Sequence, residues 1–134
     1  MKNYNKNLNK IIEVKKSSIL GAGLGAFAKV KISKGQRIGE YNGTLLNQIE
    51  YEALQDKTYV FELAKKYQGR YYLFYVDAKS GDLLKYVNGA SSKEEKTKIN
   101  VEAYQYAEKI FFRSTRIIYP QEELLIDYGD NYWQ

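Results

Sequence analysis

Short strand-like segments separated by turn residues dominate the 134-residue chain, and this pattern constrains the fold most strongly. A helix is predicted only over residues 47–55, where Asn47 can act as N-cap and Glu50 completes a capping box. Many short strands with turns between them indicate a mainly β protein. The predicted strands cover residues 11–16, 25–28, 36–41, 59–63, 71–77, 100–106, 109–114 and 123–128.

The sequence contains no cysteine and no histidine, which excludes several kinds of site. Disulfides, thiolate nucleophiles and Cys/His zinc sites cannot form within the chain, and no metal site is predicted. A Ser-His-Asp triad and any mechanism with imidazole as the base are excluded as well. Any catalysis must therefore use tyrosine, carboxylate, lysine, hydroxyl, amide, arginine or main-chain groups.

The domain boundaries and the location of the protein follow from composition. Residues 1–10 are rich in asparagine and lysine and lack an apolar signal region, so they are predicted to form a flexible leader before a single domain over residues 11–134. No apolar run approaches the ~20 residues needed to cross a bilayer. An intracellular protein is expected, with nucleus and cytoplasm both open.

Four short segments carry residue types that suit a ligand site. Glycines let a backbone approach a ligand closely, and the last segment places Tyr128 where an apolar strand meets a glycine turn. Each segment alone has a structural alternative: a glycine hairpin turn, an asparagine capping a turn, or a tyrosine ending a strand. The segments read Gly-Ala-Gly-Leu-Gly at 21–25, Tyr-Asn-Gly at 41–43, Lys-Tyr-Val-Asn-Gly-Ala at 85–90 and Glu-Glu-Leu-Leu-Ile-Asp-Tyr-Gly-Asp at 122–130.

Taken in this order, the four segments resemble those of the SET domain, the fold of protein-lysine methyltransferases. The resemblance covers about residues 11 to 133 and is strongest to the PR-type subgroup, through residues 85–90, 110–116 and 128–132. Residues 130–133 are also similar to minimal SET proteins of viral type. The resemblance implies several small β-sheets, a C-terminal pseudoknot, few short helices and S-adenosylmethionine as the cofactor.

The resemblance also assigns roles to single residues. Tyr128 is the expected catalytic tyrosine, Tyr41 acts with it, and both line a lysine channel with Phe112. Phe112 lacks a hydroxyl that would crowd the amine, which favours a di- or trimethylated product, although its apolar neighbours suit plain core equally well. The residues expected to bind the cofactor are Ala22, Gly23, Leu24, Gly25, Tyr59, Asn88, Gly89 and Trp133.

Departures from the family pattern keep other functions open. Gly89 stands where most of the family has histidine, and no cysteine-rich zinc segment can close the channel. Tyr132 and Trp133, or a second subunit of a homodimer, would then close it. The expected partner is a peptide that presents a lysine, such as a histone tail in chromatin, and the first alternative is a non-catalytic module that binds cofactor or peptide.

Charged residues raise two further points. The net charge of +5 leaves a β-rich nucleic-acid binder as another alternative, although nucleic acid is not the predicted primary ligand.

Glu123 and Asp127 lie ~13 Å apart along an extended strand, too far to share a proton. Glu123 is therefore predicted to form a salt bridge or cap a turn, and Asp127 is also predicted to be structural.

Overall fold

The computed structural model describes residues 3–127, and this part of the chain confirms the predicted mainly β fold. The α-helices are α1 (Leu8–Ile11), α2 (Gln48–Ala53) and α3 (Lys93–Lys96), and 3-10 turns cover Ala78–Ser80 and Leu83–Tyr86. The strands are β1 (Ile12–Lys16), β2 (Leu24–Ala28), β3 (Arg37–Glu40), β4 (Thr44–Leu46), β5 (Val60–Tyr67), β6 (Arg70–Asp77), β7 (Asn88–Gly89), β8 (Val101–Tyr106), β9 (Lys109–Ser114) and β10 (Leu125–Ile126).

The strands form three small sheets. β1 and β2 form a hairpin, β4-β6-β5 form a second sheet, and β3-β9-β8-β10-β7 form a third. The short strand β10 lies between β7 and β8 and runs parallel to both. Leu125 pairs with Asn88, and Ile126 pairs with Gly89 and Val101. The end of the described chain is thus inserted between two earlier strands, which places it beside the asparagine segment.

The larger of two apolar clusters in residues 3–127 joins the sheets, and β9 contributes Ile110 and Phe112 to it. Phe111, between them in sequence, is also 0% exposed, so this strand is covered on both faces. The apolar run in the sequence predicted such a buried strand over residues 109–114, and the structure confirms it. Tyr41 and Phe61 pack in the same core as Phe112. A rigid aromatic centre therefore lies beneath the segments that carry the candidate site.

The N-terminal segment differs from the predicted flexible leader. Residues 3–10 pack on the domain, and Leu8 is 3% exposed within the core. The Asn5 side chain binds the backbone of Glu40, with Oδ1 accepting from its N–H at 2.8 Å and Nδ2 donating to its carbonyl at 2.9 Å. Hydrogen bonds from Asn42 and Asn5 also lower the pKa of Asp82. A polar composition concealed these long-range contacts, so the packed unit begins before residue 11.

The helices show where local signals suffice. The Asn47 capping box is present, with Glu50 N–H donating to Asn47 Oδ1 at 2.8 Å and Asn47 N–H donating to Glu50 Oε1 at 3.0 Å. Helix α3 was not predicted, although Ser92 and Glu95 form a second capping box. No helix in the described part of the chain is long and apolar enough to cross a membrane.

Candidate functional site

A cleft of about 460 Å³ opens between the glycine segment, the start of β5 and the asparagine segment. Its volume lies within the ~300–1,000 Å³ typical of small-molecule sites. The structure thus brings together Ala22, Leu24, Tyr59, Asn88 and Gly89, all of which were predicted to bind one cofactor. The cleft is lined by Ala22, Leu24, Thr58, Tyr59, Lys85, Tyr86, Val87, Asn88 and Gly89.

The glycine segment forms the loop of the β1–β2 hairpin. Gly21 and Gly23 have φ angles of +82° and +76°, in the left-handed region that favours glycine. The Ser17 N–H closes the loop by donating to the Gly23 carbonyl at 2.8 Å. The segment is therefore a hairpin turn and also one wall of the cleft, through Ala22 and Leu24. Gly23 itself borders a neighbouring groove formed by residues 16–21, 23 and 24.

Glu123 anchors this loop through a buried carboxylate that is 9% exposed. Its Oε2 accepts from Ser17 Oγ at 2.7 Å, and its Oε1 accepts from the Ser18 N–H at 3.0 Å and from Ser18 Oγ at 2.5 Å. Oε2 also accepts from Asn88 Nδ2 at 3.2 Å. Glu123 forms no salt bridge with the described residues, so the salt-bridge alternative is wrong. It instead binds the loop and Asn88 together, and we call this group of hydrogen bonds the Glu123 clamp.

Gly25 leaves the room that the clamp needs. A Cβ atom at this position would overlap the Glu123 carboxylate and lie 3.2 Å from Asn88 Nδ2. Gly25 does not line the cleft. Its missing side chain lets the Glu123 carboxylate sit against β2, and its part in cofactor binding stays a prediction.

Asn88 connects the asparagine segment to the glycine segment. Besides the bond to Glu123, its Nδ2 donates to the Leu24 carbonyl at 3.0 Å. The side chain therefore bridges two distant segments and does not cap a local turn. Within the described residues, no donor is bonded to Asn88 Oδ1, so this oxygen is the atom that the side chain can offer to a ligand.

Asn100 was not predicted from the sequence, yet it fixes the strand that leads to Tyr128. The residue is 1% exposed. Its Nδ2 donates to the Glu123 carbonyl at 3.0 Å, and its Oδ1 accepts from the Leu125 N–H at 2.9 Å. The backbone on either side of Leu124 is thereby held in place. An isolated asparagine at the start of a predicted strand carried no local signal for this role.

Tyr41 and Phe112 lie side by side in the core. Tyr41 is 2% exposed, and its hydroxyl donates to the Tyr59 carbonyl at 2.9 Å. Its ring stacks on Phe112 at 5.1 Å between centroids and meets Phe61 edge-on at 4.6 Å. Tyr41 therefore supports the backbone of a residue in the cleft wall. The packing of Phe112 agrees with the core alternative, and the channel role of both rings stays a prediction.

Two predicted site residues and the charges of the cleft lining remain. Tyr128 and Trp133 lie outside the described residues. Lys85 is the charged residue of the cleft lining, and its Nζ donates to the Lys79 carbonyl at 2.9 Å and lies 5.3 Å from the Tyr86 ring centroid. Residues 3–127 contain no cluster of three carboxylates that could hold a metal ion. The cleft therefore combines amide, aromatic and main-chain groups with one ammonium.

Comparison with known proteins identifies the family. The family model described as PR domain zinc finger protein 2, PR domain, matches residues 12–134. The chain belongs to the PR domain family. This confirms the SET-type fold and the PR-type resemblance predicted from the four segments.

Curated relatives of this PR domain share about a third of its residues. Mouse PR domain zinc finger protein 14 is 33% identical over 109 residues, which are 81% of the chain and 18% of that relative. Human histone-lysine N-methyltransferase PRDM7 is 36% identical over 122 residues, 88% of the chain and 23% of that relative. Histone-lysine N-methyltransferase set-17 of Caenorhabditis elegans is 31% identical over 127 residues, 91% of the chain and 42% of that relative. The chain thus spans less than half the length of each.

Solved structures share the fold. The methyltransferase domain of human PR domain-containing protein 2 superposes with a TM-score of 0.70 at 24% identity, covering 86% of this chain and 74% of that one. A chain of an active polycomb repressive complex 2 in the basal state gives a TM-score of 0.70 at 27% identity, covering 90% of this chain and 15% of that one.

Proposed function

We propose that this PR domain is an S-adenosylmethionine-dependent protein-lysine N-methyltransferase. The observation that carries the proposal is the cleft in which the glycine segment, Tyr59 and Asn88 meet. Family membership supports it, since relatives with this domain are named histone-lysine N-methyltransferases. When bound, S-adenosylmethionine supplies a methyl group on a positively charged sulfonium.

The residues of the cleft fit this cofactor. Asn88 Oδ1 can accept from an ammonium group, and Lys85 supplies a cation for a carboxylate. The backbone of Ala22 and Leu24 and the rings of Tyr59 and Tyr86 offer polar and flat surfaces for a nucleoside. Gly89 leaves the cleft without the side chain that most SET domains place there.

Three aromatic residues would prepare the substrate lysine to attack the methyl group. An unperturbed lysine has a pKa of ~10.4 and must lose its proton before its nitrogen can accept a methyl group. In the proposed mechanism, an apolar channel bordered by Tyr41, Phe112 and Tyr128 would disfavour the charged form by desolvation, so no histidine base would be needed. Tyr128 would orient the neutral amine through its hydroxyl, and Tyr41 holds Tyr59 in the cleft wall.

The aromatic core affects the number of methyl groups that the product lysine can carry. Phe112 has no hydroxyl to bond the amine or a water, so space remains for added methyl groups and di- or trimethyl-lysine is expected. Phe112→Tyr should shift the product toward monomethyl-lysine. Mass spectrometry of a substrate peptide, after the methylation reaction has run to completion, measures the number of methyl groups on the lysine. A wild-type product that stops at monomethyl-lysine, with no change in the variant, would contradict this role.

A histone tail is the proposed substrate, which would place the protein inside the cell and at chromatin. The support comes from relatives named histone-lysine methyltransferases and from a fold shared with ATXR5, solved in complex with histone H3.1 mono-methylated on R26. The second candidate function is a module that binds cofactor or peptide without turnover, favoured by Gly89 at the histidine position of the family.

Titration calorimetry with S-adenosylmethionine tests the cofactor site. Wild type should bind one equivalent, and Asn88→Ala should bind at least about tenfold more weakly because it loses both the oxygen proposed to bind the ligand and the Asn88 bond of the Glu123 clamp. Asn7→Ala is the matched control, since Asn7 is exposed and makes no side-chain cap bond. Thermal melting verifies that each variant is folded. No binding by folded wild type, or equal binding by Asn88→Ala, would refute the proposed site.

A further inference from the structure

The outer half of the β5–β6 hairpin presents aromatic rings and cations to solvent. Tyr67, Tyr71 and Tyr72 are 65%, 72% and 47% exposed. Residues 64–73 also contain two lysines and one arginine and no acidic residue. Tyr67 lies at the far end of β5 from Tyr59, roughly 25 Å along an extended strand, so this surface is separate from the cleft.

Strand register places the rings and cations on a common face. Lys65 pairs with Tyr72, and Tyr67 pairs with Arg70. Paired residues and residues two apart share a face of an antiparallel sheet. The face therefore carries two tyrosines and two cations in alternation, and it borders a groove of about 480 Å³. The groove is lined by Lys65, Lys66, Tyr67, Tyr72, Phe74 and Glu108.

The cations on the hairpin are not neutralised by the described residues. None of Lys65, Lys66 and Arg70 forms an ion pair with a carboxylate in that part of the chain. Lys65 Nζ instead lies 5.4 Å from the centroid of Phe74. The positive charge of the hairpin cations favours an anionic partner. It disfavours a methylammonium group, which is the other kind of ligand that aromatic rings bind.

The edge of β5 that does not pair with β6 is hydrogen-bonded to side chains of the β8–β9 hairpin. Gln105 Oε1 accepts from the Ala64 N–H at 3.0 Å, and Gln105 Nε2 donates to the Ala64 carbonyl at 2.5 Å. Glu108, the acid of the groove, accepts from the Lys66 N–H at 3.1 Å. A partner is thus not expected to add as another strand at this edge, and the exposed side chains provide the surface.

We infer that this face, comprising Lys65, Tyr67, Arg70 and Tyr72, binds single-stranded nucleic acid. The cations bind phosphates, and the exposed rings stack on unpaired bases, which is the combination that single-strand binders use. Duplex nucleic acid hides its base faces and would engage the cations alone. The inference is independent of methyl transfer and needs no cofactor.

Fluorescence anisotropy with a labelled 12-nucleotide oligo(dT) and the full chain tests the inference. Tyr67→Ser and Tyr72→Ser should each weaken binding about fivefold or more, because each loses one base-stacking contact. The Lys65→Gln/Arg70→Gln double variant should lower the slope of log K against log salt by about 1.4, for two phosphate contacts. Melting curves confirm that the variants, all at exposed or half-buried hairpin positions, remain folded.

Matched controls lie elsewhere on the surface. Tyr119→Ser removes a ring that is 53% exposed, and Lys31→Gln/Lys34→Gln removes two exposed cations. Neither should change binding. The inference is overturned if wild type does not bind at low salt, if the controls weaken binding as much as the hairpin variants, or if a duplex binds as tightly. Equal competition by polyglutamate would also overturn it and indicate an acidic protein partner.

Discussion

At the scale of single residues, Glu123 organises the candidate site. Its buried carboxylate accepts four hydrogen bonds from Ser17, Ser18 and Asn88, which come from two different segments. A carboxylate suits this place because all its neighbours are donors and it offers only acceptors. The glycine loop and Asn88 are therefore set in position before any ligand binds.

Glu123→Ala should lower the free energy of unfolding by about 2–3 kcal/mol, because removing the acceptor leaves buried donors unpaired. Affinity for S-adenosylmethionine should fall as well, since the loop loses its anchor. Urea denaturation measures the first effect, and calorimetry measures the second.

Glu94→Ala is the control for this prediction, since Glu94 is exposed on α3. Its unfolding free energy should stay within about 0.5 kcal/mol of wild type, as for most surface substitutions. A Glu123→Ala protein as stable as the control would show that the clamp does not stabilise the loop.

At the scale of secondary structure, β10 depends on side chains as much as on strand pairing. The strand has two residues, Leu125 and Ile126, and Asn100 binds the backbone on both sides of Leu124. Tyr128 follows β10 by two residues in the sequence. The position of β10 should therefore affect the transfer step more than cofactor binding.

Asn100→Ala should reduce the methyl-transfer rate by more than it reduces affinity for S-adenosylmethionine. The substitution leaves two buried backbone groups unpaired, and each unpaired group lowers stability by about 1–3 kcal/mol. The Asn100 side chain does not line the cleft. Single-turnover kinetics measure the methyl-transfer rate, and calorimetry measures the affinity for S-adenosylmethionine. Both are carried out below the melting temperature of the variant.

Asn47→Ala provides a comparison on an element remote from β10. It removes the N-cap of α2, at a cost of about 1 kcal/mol, and should leave the transfer rate unchanged. If Asn100→Ala transfers at the wild-type rate, or if Asn47→Ala slows transfer equally, the assigned role of Asn100 is wrong.

At the scale of the whole molecule, local patterns predicted most of the described strands and one helix, but they missed the short strands β4 and β7 and the contacts that join the elements. The apolar run of β9 and the capping box of α2 are signals carried by neighbouring residues, and both gave the right element. Of the predicted strand over residues 123–128, the structure describes residues 123–127, in which Leu125 and Ile126 form β10 and Glu123 makes an isolated bridge to Phe27.

Several of the residues predicted for the site meet in the cleft, but the hydrogen bonds that hold them there were not predicted. Motif order placed Ala22, Tyr59 and Asn88 together, and the cleft contains them. The Glu123 clamp and the Asn5 contacts join residues far apart in sequence through polar side chains. Hydrophobic periodicity carries no information about such bonds, so these features appeared only in three dimensions.

Methyl transfer itself is the most direct test of the proposed function. Wild type and Tyr128→Phe are incubated with labelled S-adenosylmethionine and histones, and cofactor binding is measured in parallel. We expect label on histone lysine with wild type and a loss of at least about 100-fold in Tyr128→Phe, on the scale of a catalytic group, with binding largely kept. Cofactor binding without any transfer by wild type, or equal transfer by Tyr128→Phe, would contradict the account.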